Sequence, residues 1–267
     1  MFQPIAQTFH TIFEVPLQNL LLLFNTIFVS LHIPGAFGFA IIALTVAIRL
    51  ILHPLFQKQI HTAKKMSDLK PHLDVLSSKH KKDPKKLQQE QLKLYQEAGI
   101  NPASGCVFLI IQIPIFIALY NTLRLFLLNG GTKKVISEIN RVVYLEIFKI
   151  NAINPQFFGF NLALSPAKAG LWYYYLIPVI TGFLQFYQVH VSTPSTPSKA
   201  LAVKKDEKKK DASTSEDFQK AMNTQMKFIF PVLIGWFSYS LPVGLSLYWN
   251  IFSIFSIIQY NQVHKKS

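Results

Sequence analysis

The chain contains a single cysteine, Cys106, among 267 residues. That excludes an intrachain disulfide and any cysteine-based metal cage. Acids are scarce: 13 Asp and Glu stand against 27 Lys and Arg, a formal net charge of +14. Glu14, Asp68, Asp74, Asp83, Glu90, Glu97, Glu138, Glu146, Asp206, Glu207, Asp211, Glu216 and Asp217 all lie outside the long apolar runs. Residues 1–33 have no Lys or Arg and no A-x-A site follows, so the start does not read as a secretory signal. Enzyme signatures are missing: no H-E-x-x-H, no P-loop, no G-x-S-x-G and no pair of acids inside an apolar run. No catalytic residue, cofactor site or metal site is expected. An ion-coupled pump would need Asp, Glu or His relays inside its spans. Here His32 and His53 sit only at run boundaries, as interfacial histidines do.

What is present is apolar. Half of the residues are hydrophobic, including 23 Phe, and they gather in runs of about 20, which suits membrane spans better than a soluble core. Five spans are expected: 36–54, ended by Pro54; 104–128, with Pro114 inside; 170–190, with Pro178 and Gly182; 225–241, with Pro231 and Gly235; and 244–262. Pro242-Val243-Gly244 makes the tight turn between the last two. Trp172 to Tyr175 open the third as an interfacial belt. Within 1–35, Leu17 to Ile33 is bracketed by Pro16 and Pro34 and carries Gln18, Asn19, Asn25, Ser30 and His32. It reads as a helix lying in the outer interface, with an extra span as the alternative.

Charge sets the expected orientation. Lysines crowd 55–103 and 191–224, and the tail 263–267 adds Lys265 and Lys266. The other side has only Lys133, Lys134, Arg141, Lys149 and Lys168, in the long 129–169 loop. The positive-inside rule then puts the N-terminus outside and the C-terminus in the cytoplasm. Segment 55–103 reads as a cytoplasmic helical hairpin: Leu69, Leu73 and Leu76 recur at helical spacing, Asp83-Pro84 starts a second helix, and Gly99 with Pro102 stops it. A solvated hairpin without a partner is its plainer reading. Segment 191–224 reads as a Lys-rich disordered loop. Such basic loops suit ribosomal RNA or anionic membrane lipids; DNA is not an expected partner.

The one cation deep inside the first run is Arg49. A guanidinium keeps its charge, and burying it in hydrocarbon costs from about 3 to more than 10 kcal/mol. With no acid in the runs, Arg49 is expected to face water, a lipid headgroup or a group brought in by a substrate, unless it snorkels to the interface. Thr45 lies one turn away on the same face. Polar stripes mark other spans: Thr181, Gln185 and Gln188 on the third; Ser246, Asn250 and Ser253 on the fifth, with Tyr248 and Trp249 beside them; and Gln112 on the second. Each stripe alone reads as interhelical glue. Together with Arg49 they suggest a hydrated groove. The expected fold class is an all-α polytopic membrane protein, with five transmembrane helices around that groove, an N-terminal interfacial helix and a cytoplasmic helical hairpin.

Four motifs in order then resemble the YidC/Oxa/Alb membrane-protein insertase family: Leu44-Thr-Val-Ala-Ile-Arg-Leu-Ile-Leu-His-Pro-Leu55, the hairpin from Lys64 to Pro102, Gly105 to Tyr120, and Leu241-Pro-Val-Gly-Leu-Ser-Leu-Tyr-Trp-Asn250 through Gln259. The resemblance covers about 36–263 and is closest to short bacterial members without a large extracytoplasmic domain. It implies an insertase of the bacterial inner membrane that moves client helices from a cytosol-facing groove into lipid without nucleotide hydrolysis. It puts Arg49 in the groove-arginine role, with Thr45, Tyr248 and Trp249 along the client path. Gln112, Gln185, Gln188 and Asn250 complete the expected client-binding groove. The implied partners are nascent membrane-protein clients, with the ribosome and a Sec translocon as further candidates. A transporter pairing a substrate anion with Arg49 and an assembly subunit without insertion activity are the competing readings.

Overall fold

The structure is a computed structural model. It describes residues 3–80, 83–99, 104–129, 132–192 and 228–265, without the side chains of 3, 5, 70, 84, 104–112, 128, 129, 264 and 265. The Lys-rich loop expected at 191–224 lies almost wholly outside the described residues, and so does the side chain of Gln112.

The described chain is helical apart from one short hairpin. The N-terminal segment is a continuous helix: α1 (Gln3–Phe9), a π-helical turn (His10–Glu14) and α2 (Val15–Ser30). A short link with left-handed His32 and Gly35 leads to α3 (Ala36–Ile51). Pro54 sits in the first turn of α4 (His53–Asp68), where its missing N–H is not needed. The α3–α4 pair bends there by 64°. Next come α5 (Lys70–Lys79) and α6 (Pro84–Glu97), packed together as a hairpin. The Asp83 side chain accepts from the N–H of Lys86 at 3.0 Å and so caps α6. Then α7 (Ser104–Asn129) runs 26 residues through Pro114.

The segment after α7 is more ordered than its sequence suggests. It holds α8 (Lys133–Arg141), strands β1 (Gln156–Phe157) and β2 (Phe160–Asn161), and the single turn α9 (Pro166–Ala169). Phe157 pairs with Phe160 across a Phe158-Gly159 turn, both of whose residues have positive φ, as a two-residue hairpin of this twist requires. The last helices are α10 (Leu176–Ser192), α11 (Phe228–Ser240) and α12 (Val243–Lys265). Val243 and Gly244 donate their backbone N–H groups to the carbonyls of Leu164 and Leu162, both at 2.9 Å. The segment thereby satisfies donors that the first turn of α12 leaves open.

Among the described residues, Ala6–Ser30 and Val243–Val263 are long and apolar enough to cross a membrane, and the bent α3–α4 pair passes the same test as one unit. The chain is an all-helical protein with the apolar helices of a polytopic membrane protein. Helix α12 contacts α3, α4, α7 and α10. The main core joins Leu21, Leu22, Ile41, Leu44, Leu123 and Phe126 with Leu245 and Tyr248 of α12. Between α10 and α11 the contact is backbone on backbone: a Cβ on Gly235 would lie 3.3 Å from the Pro178 carbonyl oxygen and 3.6 Å from Gly182 Cα. Small residues permit this approach in helices that lipid tails do not drive together.

Candidate functional site around Arg49

Arg49 lies in the last turn of α3, where the helix dipole favours a cation. It is 3% exposed. The expectation that it faces water, a headgroup or a substrate gives way to another arrangement. Its Nη1 donates to Gln259 Oε1 at 3.2 Å, and its Nη2 donates to the Phe252 carbonyl oxygen at 3.0 Å and to Ser256 Oγ. The guanidinium carbon lies 3.7 Å from the ring centroid of Phe252 and 4.3 Å from that of Phe56. All these acceptors are neutral and come from α12. Among the described residues no carboxylate forms an ion pair with Arg49, and its Nε has no hydrogen-bond partner. Hydrogen bonds to a charged group contribute about 1.5–3 kcal/mol each, and a ring face about 0.5–2. Together they offset the burial cost while leaving the positive charge uncompensated.

Gln259 ties this cluster to the bend. Its Nε2 lies 2.9 Å from His53 Nδ1 at the start of α4, and the amide can only donate there. Phe56 of α4 closes the other side of the guanidinium. The cluster therefore spans α3, the 64° bend, α4 and the Phe252–Gln259 stretch of α12.

The other expected residues divide into two groups. Thr45 and Tyr248 are buried near Arg49, in the interface between α3 and α12. The Thr45 hydroxyl donates to the Ile41 carbonyl at 2.7 Å. Tyr248 stands one turn before Phe252, with their rings 5.9 Å apart. The stripe of Ser246 and Ser253 faces elsewhere. Ser238 of α11 donates to Thr181 Oγ1 at 3.2 Å and lies 2.7 Å from Ser246 Oγ, while Ser253 donates to Gln185 Oε1 at 3.4 Å. At 100° per residue this stripe lies about 100° around α12 from the Arg49 face. The stripes of α10 and α12 thus meet each other as interhelical glue and do not converge on Arg49. Trp249 turns toward α7, with its ring 5.4 Å from Phe116. Gln188 Oε1 and Asn250 Oδ1 are buried without partners among the described residues, an arrangement that costs free energy until a polar group reaches them.

Sequence reasoning missed Ser256 and Gln259. They continue the spacing of Ser253 by three residues at a time, which was the available signal. It also missed Glu14. The π turn brings its carboxylate 2.7 Å from Asn121 Nδ2 of α7 and 2.7 Å from His10 Nδ1. One acid thus meets a residue of an apolar run from outside it. Away from the spans, burial in the hairpin raises the Tyr95 phenol above its ordinary range, so it stays neutral.

Comparisons with known proteins agree with this architecture. The profile of the 60Kd inner membrane protein family matches residues 28–267. The chain is 31% identical over 230 residues to the inner membrane ALBINO3-like protein 2, chloroplastic, of Chlamydomonas reinhardtii, covering 85% of this chain and 49% of that protein. It is 31% identical over 235 residues to the membrane protein insertase YidC of Alkalihalophilus pseudofirmus, covering 84% of this chain and 71% of the relative. To the membrane protein insertase YidC of Chlamydia trachomatis it is 28% identical over 229 residues, 84% of this chain and 25% of the relative. The chain therefore spans about half of the algal protein and a quarter of the chlamydial one. With the match running through α3, the hairpin, α7 and α12, the chain belongs to the 60Kd inner membrane protein family, the YidC/Oxa/Alb group.

Proposed function

We propose that this chain is a membrane-protein insertase that passes the polar tail of a client segment along Arg49 while the client's apolar helix enters lipid. The observation that carries this reading is a permanent cation buried among neutral acceptors, with no carboxylate paired to it among the described residues. A client acid about 4 Å from such a charge gains about 4 kcal/mol at the dielectric typical of sites near a protein surface. That compensates part of the cost of bringing a carboxylate across about 30 Å of hydrocarbon. The client helix then partitions at about 25 cal/mol per Å2 of apolar area removed from water. No nucleotide enters the scheme.

The contacts of Arg49 indicate how a client would engage. They describe a closed state, because every acceptor is supplied by α12. A client carboxylate would take the place of Ser256 and Gln259, and attraction between opposite charges would replace two neutral hydrogen bonds. The bend beside His53 and Phe56 leads from Arg49 to the α5–α6 hairpin, which would receive clients on the cytoplasmic side. Family membership and relatives named as insertases support this reading over a solute transporter. In the same reading the N-terminus is outside and the C-terminus cytoplasmic. Asn19 favours an outer position for the N-terminal helix: it donates to the Val142 carbonyl at 2.9 Å and accepts from the N–H of Tyr144 at 2.6 Å, both in the long loop. The ribosome and a Sec translocon would be auxiliary partners.

The test is reconstitution of the purified chain into protein-free liposomes without nucleotide, with a small client carrying a short acidic N-terminal tail. Protease protection of that tail supports the proposal. Uptake of small anions without tail protection would assign the chain to transport instead.

A further inference from the structure

Helix α8 and residues 149–151 border an open cleft of about 440 Å3 that the Arg49 site does not use. Lys133, Ser137 and Arg141 lie four residues apart, so they share one face of α8 and form one wall. Lys149 and Asn151 form the other. Asn140 fixes the two walls together. Its Nδ2 donates to the Ile150 carbonyl at 2.8 Å, and its Oδ1 accepts from the Ile150 N–H at 3.0 Å. The opposite face of α8 is anchored as well, with Ile139 buried in the main core. Three cations are thus held around one space, and no acid lines it among the described residues. Lys149 does pair with Glu146 at 2.6 Å, but the Glu146 side chain is 85% exposed. Such a surface pair contributes little and yields readily.

The segment that joins the two walls adds a second feature. Tyr144, Leu145 and Ile147 are 63%, 57% and 70% exposed, next to Arg141 and Lys149. Large apolar side chains beside a basic cleft, at the end of an apolar helix bundle, are what an interface between headgroups and acyl chains stabilises. Soluble anions would explain the charges but not these side chains.

We infer that the cleft between α8 and residues 149–151 binds the phosphate of an anionic phospholipid headgroup, with Tyr144, Leu145 and Ile147 inserted among the acyl chains. Lys133, Arg141 and Lys149 supply charge-assisted donors to the phosphate oxygens, and Ser137 and Asn151 supply neutral ones. This rests on the chain being a membrane protein and is independent of whether it inserts clients.

The test uses the full-length purified chain and equal amounts of phosphatidylglycerol and phosphatidylcholine, with bound lipid read by native mass spectrometry. The wild type should retain phosphatidylglycerol in preference by about fivefold or more. The triple variant Lys133→Gln, Arg141→Gln, Lys149→Gln should lose that preference. A control variant, Lys85→Gln, Lys86→Gln, Lys93→Gln, removes the same charge from the hairpin and should keep it. A phosphatidylglycerol carrying a photoreactive headgroup should crosslink within 133–151. Unchanged preference in the triple variant, equal loss in the control, or crosslinks confined elsewhere would overturn the assignment. Occupancy by inorganic phosphate with no preference between the two lipids would instead make this a site for free anions. Insertion of a client into liposomes is a separate readout, so failure here leaves the insertase proposal standing.

Discussion

Arg49 and Phe252 meet twice: the guanidinium donates to the Phe252 carbonyl at 3.0 Å and its carbon lies 3.7 Å from the centre of the Phe252 ring. The backbone and the side chain of one α12 residue thus hold a cation of α3. Neither contact neutralises it. In the proposed reading, a client acid is attracted to this charge and α12 gives way to it.

Gln259 is the hinge of that arrangement, because it accepts from Arg49 and approaches His53 at 3.2 and 2.9 Å. Replacing it by Leu removes both bonds and leaves a guanidinium proton buried without an acceptor. Thermal unfolding in detergent should show a loss of about 1–3 kcal/mol. The charge of Arg49 is untouched, so insertion of an acid-tailed client should stay within about threefold of wild type. A folded Gln259→Leu protein that inserts no client would show that Gln259 is part of the client path itself.

The α10–α11 contact depends on the absence of side chains. A Cβ at Gly235 would stand 3.3 Å from a carbonyl oxygen of the neighbouring helix. Gly235→Val should push the helices apart and cost about 1–3 kcal/mol, read as a lower midpoint of thermal unfolding. A midpoint equal to wild type would mean that α10 and α11 are not held at this separation.

Sidedness has its own check. Single-cysteine variants are made in a Cys106→Ser background, with Lys85→Cys on the hairpin and Lys149→Cys in the loop after α7. An impermeant thiol reagent added to intact cells should label only Lys149→Cys. Labelling of Lys85→Cys under those conditions would reverse the orientation and place the hairpin on the wrong side for receiving clients.

The fold class was legible because apolar runs of span length and the Asp83-Pro84 helix start are local signals. So was the singular position of Arg49, the one cation deep in the first run. Its partners were not. Ser256 and Gln259 lie in the second half of α12, and only tertiary packing turns them toward α3. The polar stripes misled for a related reason. Helical spacing places Ser246 and Ser253 on one face, but which neighbour that face meets is a long-range fact, and the neighbour is α10. The N-terminal helix begins at Gln3, well before the Leu17 start that its apolar pattern suggests. His10, Thr11 and Glu14 interrupt the pattern, yet Glu14 and Asn19 find partners on α7 and the following loop. Order in 129–169 was equally hidden, since Asn140 pairs with Ile150 and Leu162 and Leu164 with the start of α12.

The central claim, that Arg49 acts as a charge for client acids, is tested most directly by insertion into liposomes of two clients that differ only in tail acids. Arg49→Lys keeps the charge and loses the planar fork, so it should insert both clients within about threefold of wild type. Arg49→Ala should lose about tenfold or more with the acidic tail and much less with the neutral one, since about 1.4 kcal/mol of lost attraction is tenfold. Equal, wild-type insertion of both clients by a folded Arg49→Ala protein would contradict the account and leave Arg49 as a structural clamp between α3 and α12.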